Sequence, residues 1–169
     1  MDWLAFEGEA LYFDAPPSPA VRALLETAAA QYGTPAAEWA LLRAYFLAPE
    51  DWNVLVALYR DFYYRQQFDD ALRVAERAIV QACHALGLDP DWRALNPARV
   101  AAAARQSMTR ARFLLLALKG ASYLELRLGR PLAALERLTL LVALDPADRL
   151  GVAELHRLAC ERVADGDPK

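Results

Sequence analysis

From residue 19 onward, apolar stretches alternate with short breaks marked by polar residues, proline or glycine. The pattern predicts helices near 19–32, 35–47, 50–66, 68–87, 97–128, 131–143 and 148–164. Three breaks set a capping residue directly before a proline: Ser18-Pro19, Thr34-Pro35 and Asn96-Pro97. The cap oxygen accepts from an amide that the first turn leaves unpaired, and proline at the first helical position gives up no needed donor. Gly33, Gly87, Gly129 and Gly166 stand where helices should stop. A helix over 97–128 would run for 32 residues, long for a globular protein, so a break near Gln106-Ser107 is expected. Short connections should turn neighbouring helices antiparallel.

The first seventeen residues lack this period. Trp3, Phe6, Tyr12 and Phe13 carry large apolar areas, and Ala15-Pro16-Pro17-Ser18-Pro19 reads as a stiff extended linker. Two readings of this arm stand: it packs across its own helical body, or it pairs with a second subunit.

Composition sharpens the picture. Hydrophobic residues make up 56% of the 169, much of it alanine and leucine, and Ile79 is the single isoleucine. Good helix formers in such excess, with β-branched residues scarce, point to an all-α chain long enough to bury a core. Nineteen basic against twenty-two acidic side chains give a net charge of −3, which argues against nucleic-acid binding as the main role. Arg99, Arg105, Arg110 and Arg112 read as a solvated helix face. The acidic N-terminus is unlike a signal peptide, and the apolar run 113–118 is too short to cross a bilayer. Two cysteines form no secreted-type framework, so a cytoplasmic location is expected.

Shifting the chain by 34 residues brings Ala37 onto Ala71 and Ala44 onto Ala78, with Leu24, Leu25 and Ala28 falling on Leu58, Tyr59 and Phe62. Pro49 follows Ala37 by twelve residues, and Pro146 follows Ala134 by the same interval. Leu128-Gly129-Arg130-Pro131-Leu132-Ala133-Ala134-Leu135 completes the pattern, which resembles the tetratricopeptide-repeat family. The family's tryptophan and glycine are replaced in every unit. The resemblance implies an antiparallel helix-pair superhelix of about seven helices with a C-terminal capping helix. Its layout is an arm over 1–17 and one helical domain over 18–169, with repeats at about 18–51, 52–90 and 115–148. An insertion occupies about 86–114, and the cap covers 148–164. Residues 144–151 (Leu-Asp-Pro-Ala-Asp-Arg-Leu-Gly) and 6–14 (Phe-Glu-Gly-Glu-Ala-Leu-Tyr-Phe-Asp) also resemble small tetratricopeptide-like bacterial proteins of nitrogen-fixation gene neighbourhoods.

In such a stack the first helix of each pair lines a hollow. The resemblance then puts Asn53, Val56, Arg60 and Tyr63 in the hollow from one helix, and Leu116, Lys119, Tyr123 and Arg127 from another. Tyrosine and arginine together suit recognition. Tyr59 and Phe62 fall on packing positions, while Tyr63, Tyr64 and Tyr123 stand between groove and core. Some family members clamp a partner's C-terminal carboxylate with lysine and asparagine on successive turns. Those positions read Val56 and Arg60, and Lys119 and Tyr123, so the clamp is not reproduced. The expected partner is an extended or helical protein segment.

Catalytic and metal chemistry find little support. His156 and Cys160 are four apart and share a helix face, but Cys83 and His84 are adjacent and diverge by about 100°. Four ligands converge poorly from two such pairs, and no metal or cofactor is expected. No phosphate loop, nucleophile elbow or metalloprotease motif occurs. The expectation is a non-catalytic adaptor or assembly factor. The alternative is a self-associating structural subunit, a homodimer formed through the arm or the groove.

Overall fold

The computed structural model describes residues 16–166. The expected aromatic arm therefore lies, apart from Pro16 and Pro17, outside the described residues. Among those described there are eight α-helices, one 3-10 turn (Trp92–Ala94) and no strand. The described part of the protein is all-helical. The expected seven helices become eight because the long fifth one divides at Ser107, whose extended backbone (φ −150°, ψ 98°) ends one helix and caps the next. The chain divides into two compact units between Val74 and Ala75.

The first unit contains α1 (Pro19–Ala30), α2 (Pro35–Leu47), α3 (Trp52–Tyr64) and the start of α4 (Phe68–Ala85). The two capping residues predicted here act as such: Ser18 Oγ accepts from Val21 N at 3.4 Å, and Thr34 Oγ1 from Ala37 N at 3.3 Å. Asp51 caps α3 by accepting from Asn53 N at 2.8 Å, which starts that helix two residues later than its apolar pattern suggests. Val21, Ala28, Ala37, Ala40, Leu41, Ala44, Val54 and Leu58 form the core, with Leu24, Leu25 and Phe62 against it. The alanines matter because a small side chain at a helix crossing lets two backbones approach. Arg65 ties α2 to α3, donating to Glu38 Oε2 at 2.5 Å and to buried Asp61 Oδ2 at 3.3 Å.

The second unit holds the rest of α4, then α5 (Pro97–Gln106), α6 (Met108–Arg127), α7 (Pro131–Leu144) and α8 (Ala153–Ala164). Helix α6 packs against both α5 and α7, and α7 against α8. Ala121, Ser122, Leu124, Ala134, Leu138 and Leu141 are all fully buried. Ser122 meets its hydrogen-bonding need within its own helix by donating to the Leu118 carbonyl at 2.9 Å.

The last helix begins at Ala153, five residues later than expected. The intervening loop is built by two aspartates. Asp145 Oδ2 accepts from Leu150 N at 2.9 Å, and Asp148 Oδ1 accepts from Val152 N at 2.5 Å and Ala153 N at 3.1 Å. Asp148 itself takes a left-handed backbone (φ 48°), a conformation aspartate tolerates better than most side chains. None of the described helices is long and apolar enough to cross a membrane.

Candidate functional site

Within the first unit a cleft of about 410 Å³ is lined by residues of α1, α2 and α3. Leu25, Ala28, Ala29 and Tyr32 come from α1 and the turn after it, Leu41 from α2, and Asn53, Val56, Ala57, Arg60 and Asp61 from α3. The lining follows from helix geometry. Residues 25, 28 and 29 recur at helical steps on one face of α1, with Tyr32 in the turn beyond it, and 53, 56, 57, 60 and 61 do so on α3. Alanines at 28, 29 and 57 leave the room that larger side chains would fill.

The walls are mainly apolar, with a few polar groups. Asp61, 3% exposed, has its carboxylate engaged by Arg65, and the same contacts with Glu38 and Asp61 hold the Arg65 guanidinium above its ordinary pKa. The Asn53 side-chain amide donates to Asp51 Oδ1 at 3.0 Å, fixing its direction at the start of α3. Arg60 is exposed. A row of rings continues from Tyr32: Tyr64 meets it edge-on at 6.2 Å, Tyr63 meets Tyr64 at 5.5 Å, and Tyr59 stacks on Tyr63 at 6.0 Å.

Three of the four α3 residues expected in a hollow, Asn53, Val56 and Arg60, line this cleft together. Tyr63 instead lies half-buried among Tyr59, Tyr64 and Phe68. The α1 wall is not foreseen by the repeat register. Shifted back by 34 residues, Asn53, Val56, Arg60 and Tyr63 fall on Pro19, Arg22, Glu26 and Ala29, of which Ala29 alone lines the cleft, while Leu25 and Ala28 fall on the packing positions Tyr59 and Phe62.

The α6 residues fare differently. Leu116 is 7% exposed and belongs to the core, which corrects its expected role as a contact. With α5 and α7 packed on it, α6 has little free face. Lys119 Nζ donates to the Leu150 carbonyl, so this expected contact instead fastens the α7–α8 loop, and burial lowers its pKa. Arg127 and Tyr123 pair with each other: Nη1 donates to Oη at 3.1 Å and the guanidinium lies 5.9 Å from the ring centre.

The cysteines sit in opposite settings. Cys83 is fully buried in α4, and burial pushes its thiol up to about 11, whereas Cys160 on α8 is exposed. No group of three or more His, Cys, Asp or Glu suited to a metal ion forms among the described residues.

No family model matches the chain, and no solved structure matches it. It is similar to the uncharacterized 19.8 kDa protein in nifW 5'region of Azotobacter chroococcum mcd 1, with 41% identity over 165 residues, 98% of this chain and 92% of that protein. With identity at that level along nearly the whole of both sequences, the chain belongs to the same family as that Azotobacter protein.

Proposed function

We propose that the protein is a non-catalytic interaction module, an adaptor or assembly factor, that holds a segment of a partner protein in the cleft between α1 and α3. One observation carries this reading: a cleft of about 410 Å³ with alanine-thinned apolar walls and few polar side chains, among them Asn53 and Arg60. A mainly apolar recess with a few placed polar groups suits the docking of one or two partner side chains in a fixed orientation. In this reading α1 with α2, α3 with α4, and α6 with α7 are tetratricopeptide-like pairs, and α8 is the cap. The register rests on Ala37, Ala71 and Ala134, all fully or almost fully buried. The relative's name sets that protein in the nifW 5' region, and we extend the association to this chain as a cytoplasmic assembly factor acting in nitrogen fixation.

Capture of partners by tagged protein from nitrogen-fixing cells tests the cleft. Ala29→Trp fills it from an exposed wall position, and Arg60→Ala removes its exposed cation. Each is expected to reduce capture about tenfold, the loss of a contact of roughly 1.4 kcal/mol. Helicity and melting should be unchanged. Wild-type capture by both variants would remove the cleft from consideration.

A second reading, self-association, draws on α2. Trp39 and Phe46 are 67% and 86% exposed and stand seven residues apart, hence on one face, with Leu47 exposed beside them.

A further inference from the structure

Three side chains on α7 and α8 form a hydrogen-bonded chain that the binding role leaves unused. Thr139 Oγ1 donates its one proton to the Leu135 carbonyl at 2.8 Å. The same oxygen lies 3.2 Å from His156 Nε2, and with its proton already committed it can only accept there. Nε2 therefore carries the hydrogen, and in the neutral ring Nδ1 presents a lone pair. That lone pair faces Cys160: Nδ1 and Sγ are 3.9 Å apart, one helical turn separating the two residues on α8. Backbone, threonine, imidazole and thiol thus form a directed line that ends at an exposed sulfur.

We propose that Cys160 is a modification site that exchanges with small disulfides, with His156 as its base and Thr139 as a positioning residue. The Cys160 sulfur attacks one sulfur of a low-molecular-weight disulfide. As the new S–S bond forms, the thiol proton passes to His156 Nδ1, the old S–S bond breaks, and its electron pair leaves on the departing thiolate. The imidazolium then returns its proton to that thiolate or to water, so the disulfide supplies the only oxidant. The arrangement meets the usual requirement for an activated nucleophile: a base within reach, itself oriented by a third group. The other cysteine offers no competing route. Cys83 is fully buried, with its thiol raised to about 11 by burial.

The test is the reaction of the folded full-length chain with 5,5'-dithiobis(2-nitrobenzoic acid), followed by stopped flow. One of the two thiols should react quickly and the other only on unfolding, and Cys160→Ser should abolish the fast phase. A free thiol is only a few per cent ionised near pH 7, so a working base accelerates it about tenfold once the weaker nucleophilicity of such thiols is allowed for. His156→Gln should therefore slow the fast phase about tenfold near pH 7. It should also change the pH dependence of the fast phase. Thr139→Val, which frees the ring to adopt the other tautomer, should slow the reaction by a smaller factor while retaining the wild-type pH dependence. A His156→Gln rate equal to wild type at every pH would overturn the proposal, as would a fast phase that survives in Cys160→Ser.

Discussion

At Arg137 a guanidinium 3% exposed lies in the second unit with only part of its hydrogen-bonding capacity met. Nη2 donates to Glu76 Oε1 at 3.3 Å and the group lies 4.8 Å from the Trp92 ring centre, but Nε and Nη1 have no partner. Burial lowers its pKa, against the pull of Glu76 and Glu125. Glu125, 7% exposed, answers in kind: burial raises its carboxyl pKa, which Arg137 and Arg130 only partly offset. Arg130 Nη1 stands 3.7 Å from Oε2, close enough for attraction but too far for a hydrogen bond. A carboxyl raised in the fold retains its proton where the unfolded chain has lost it. Stability therefore falls as pH rises from the unfolded value, near 4.3, through the folded one. Glu125→Gln has no such loss, so its stability relative to wild type should rise between about pH 4 and pH 7 in urea unfolding. An unchanged or falling difference would show that Glu125 ionises in the fold at least as readily as in the open chain. None of this was legible in the sequence. Glu76 and Arg137 are 61 residues apart, and charges on helical surfaces ordinarily face water.

Helix ends were far more legible, because they are written in local chemistry. A serine, threonine or asparagine before proline caps by short-range geometry alone, and Asn96 Oδ1 accepts from Arg99 N at 3.0 Å as that rule requires. The start of α8 was misjudged for a complementary reason: its cap is Asp148, which reaches forward four and five residues from a left-handed backbone, so no neighbouring cap residue announces it. Two substitutions separate these contributions. Asp148→Gly keeps the backbone conformation but loses the acceptor, and should reduce stability by about 1 kcal/mol. Asp148→Ala loses the acceptor and also strains the left-handed position, so about 2–3 kcal/mol is expected. Chemical denaturation would measure both, and equal losses would mean that the backbone angle contributes nothing.

For the molecule as a whole, periodicity shows which positions are apolar but not what covers them. The repeat register implied by the resemblance has the same gap: it picks out three of the α3 cleft residues but sets Leu116 on a surface that its neighbours bury. The same gap leaves Trp39 and Phe46 exposed on α2. If that face joins two copies, wild type should sediment above monomer mass at high concentration, and the double variant Trp39→Glu with Phe46→Glu should sediment as a monomer. Wild type remaining monomeric at every concentration would eliminate the self-association reading. One further consequence follows from Ser107, which closes α5 and opens α6 with no linker between them. Such a joint has no slack. An added or deleted residue would turn α5 by about 100° and shift it about 1.5 Å, swinging Val100 and Ala103 toward water. Insertions and deletions at this point should therefore be strongly destabilising.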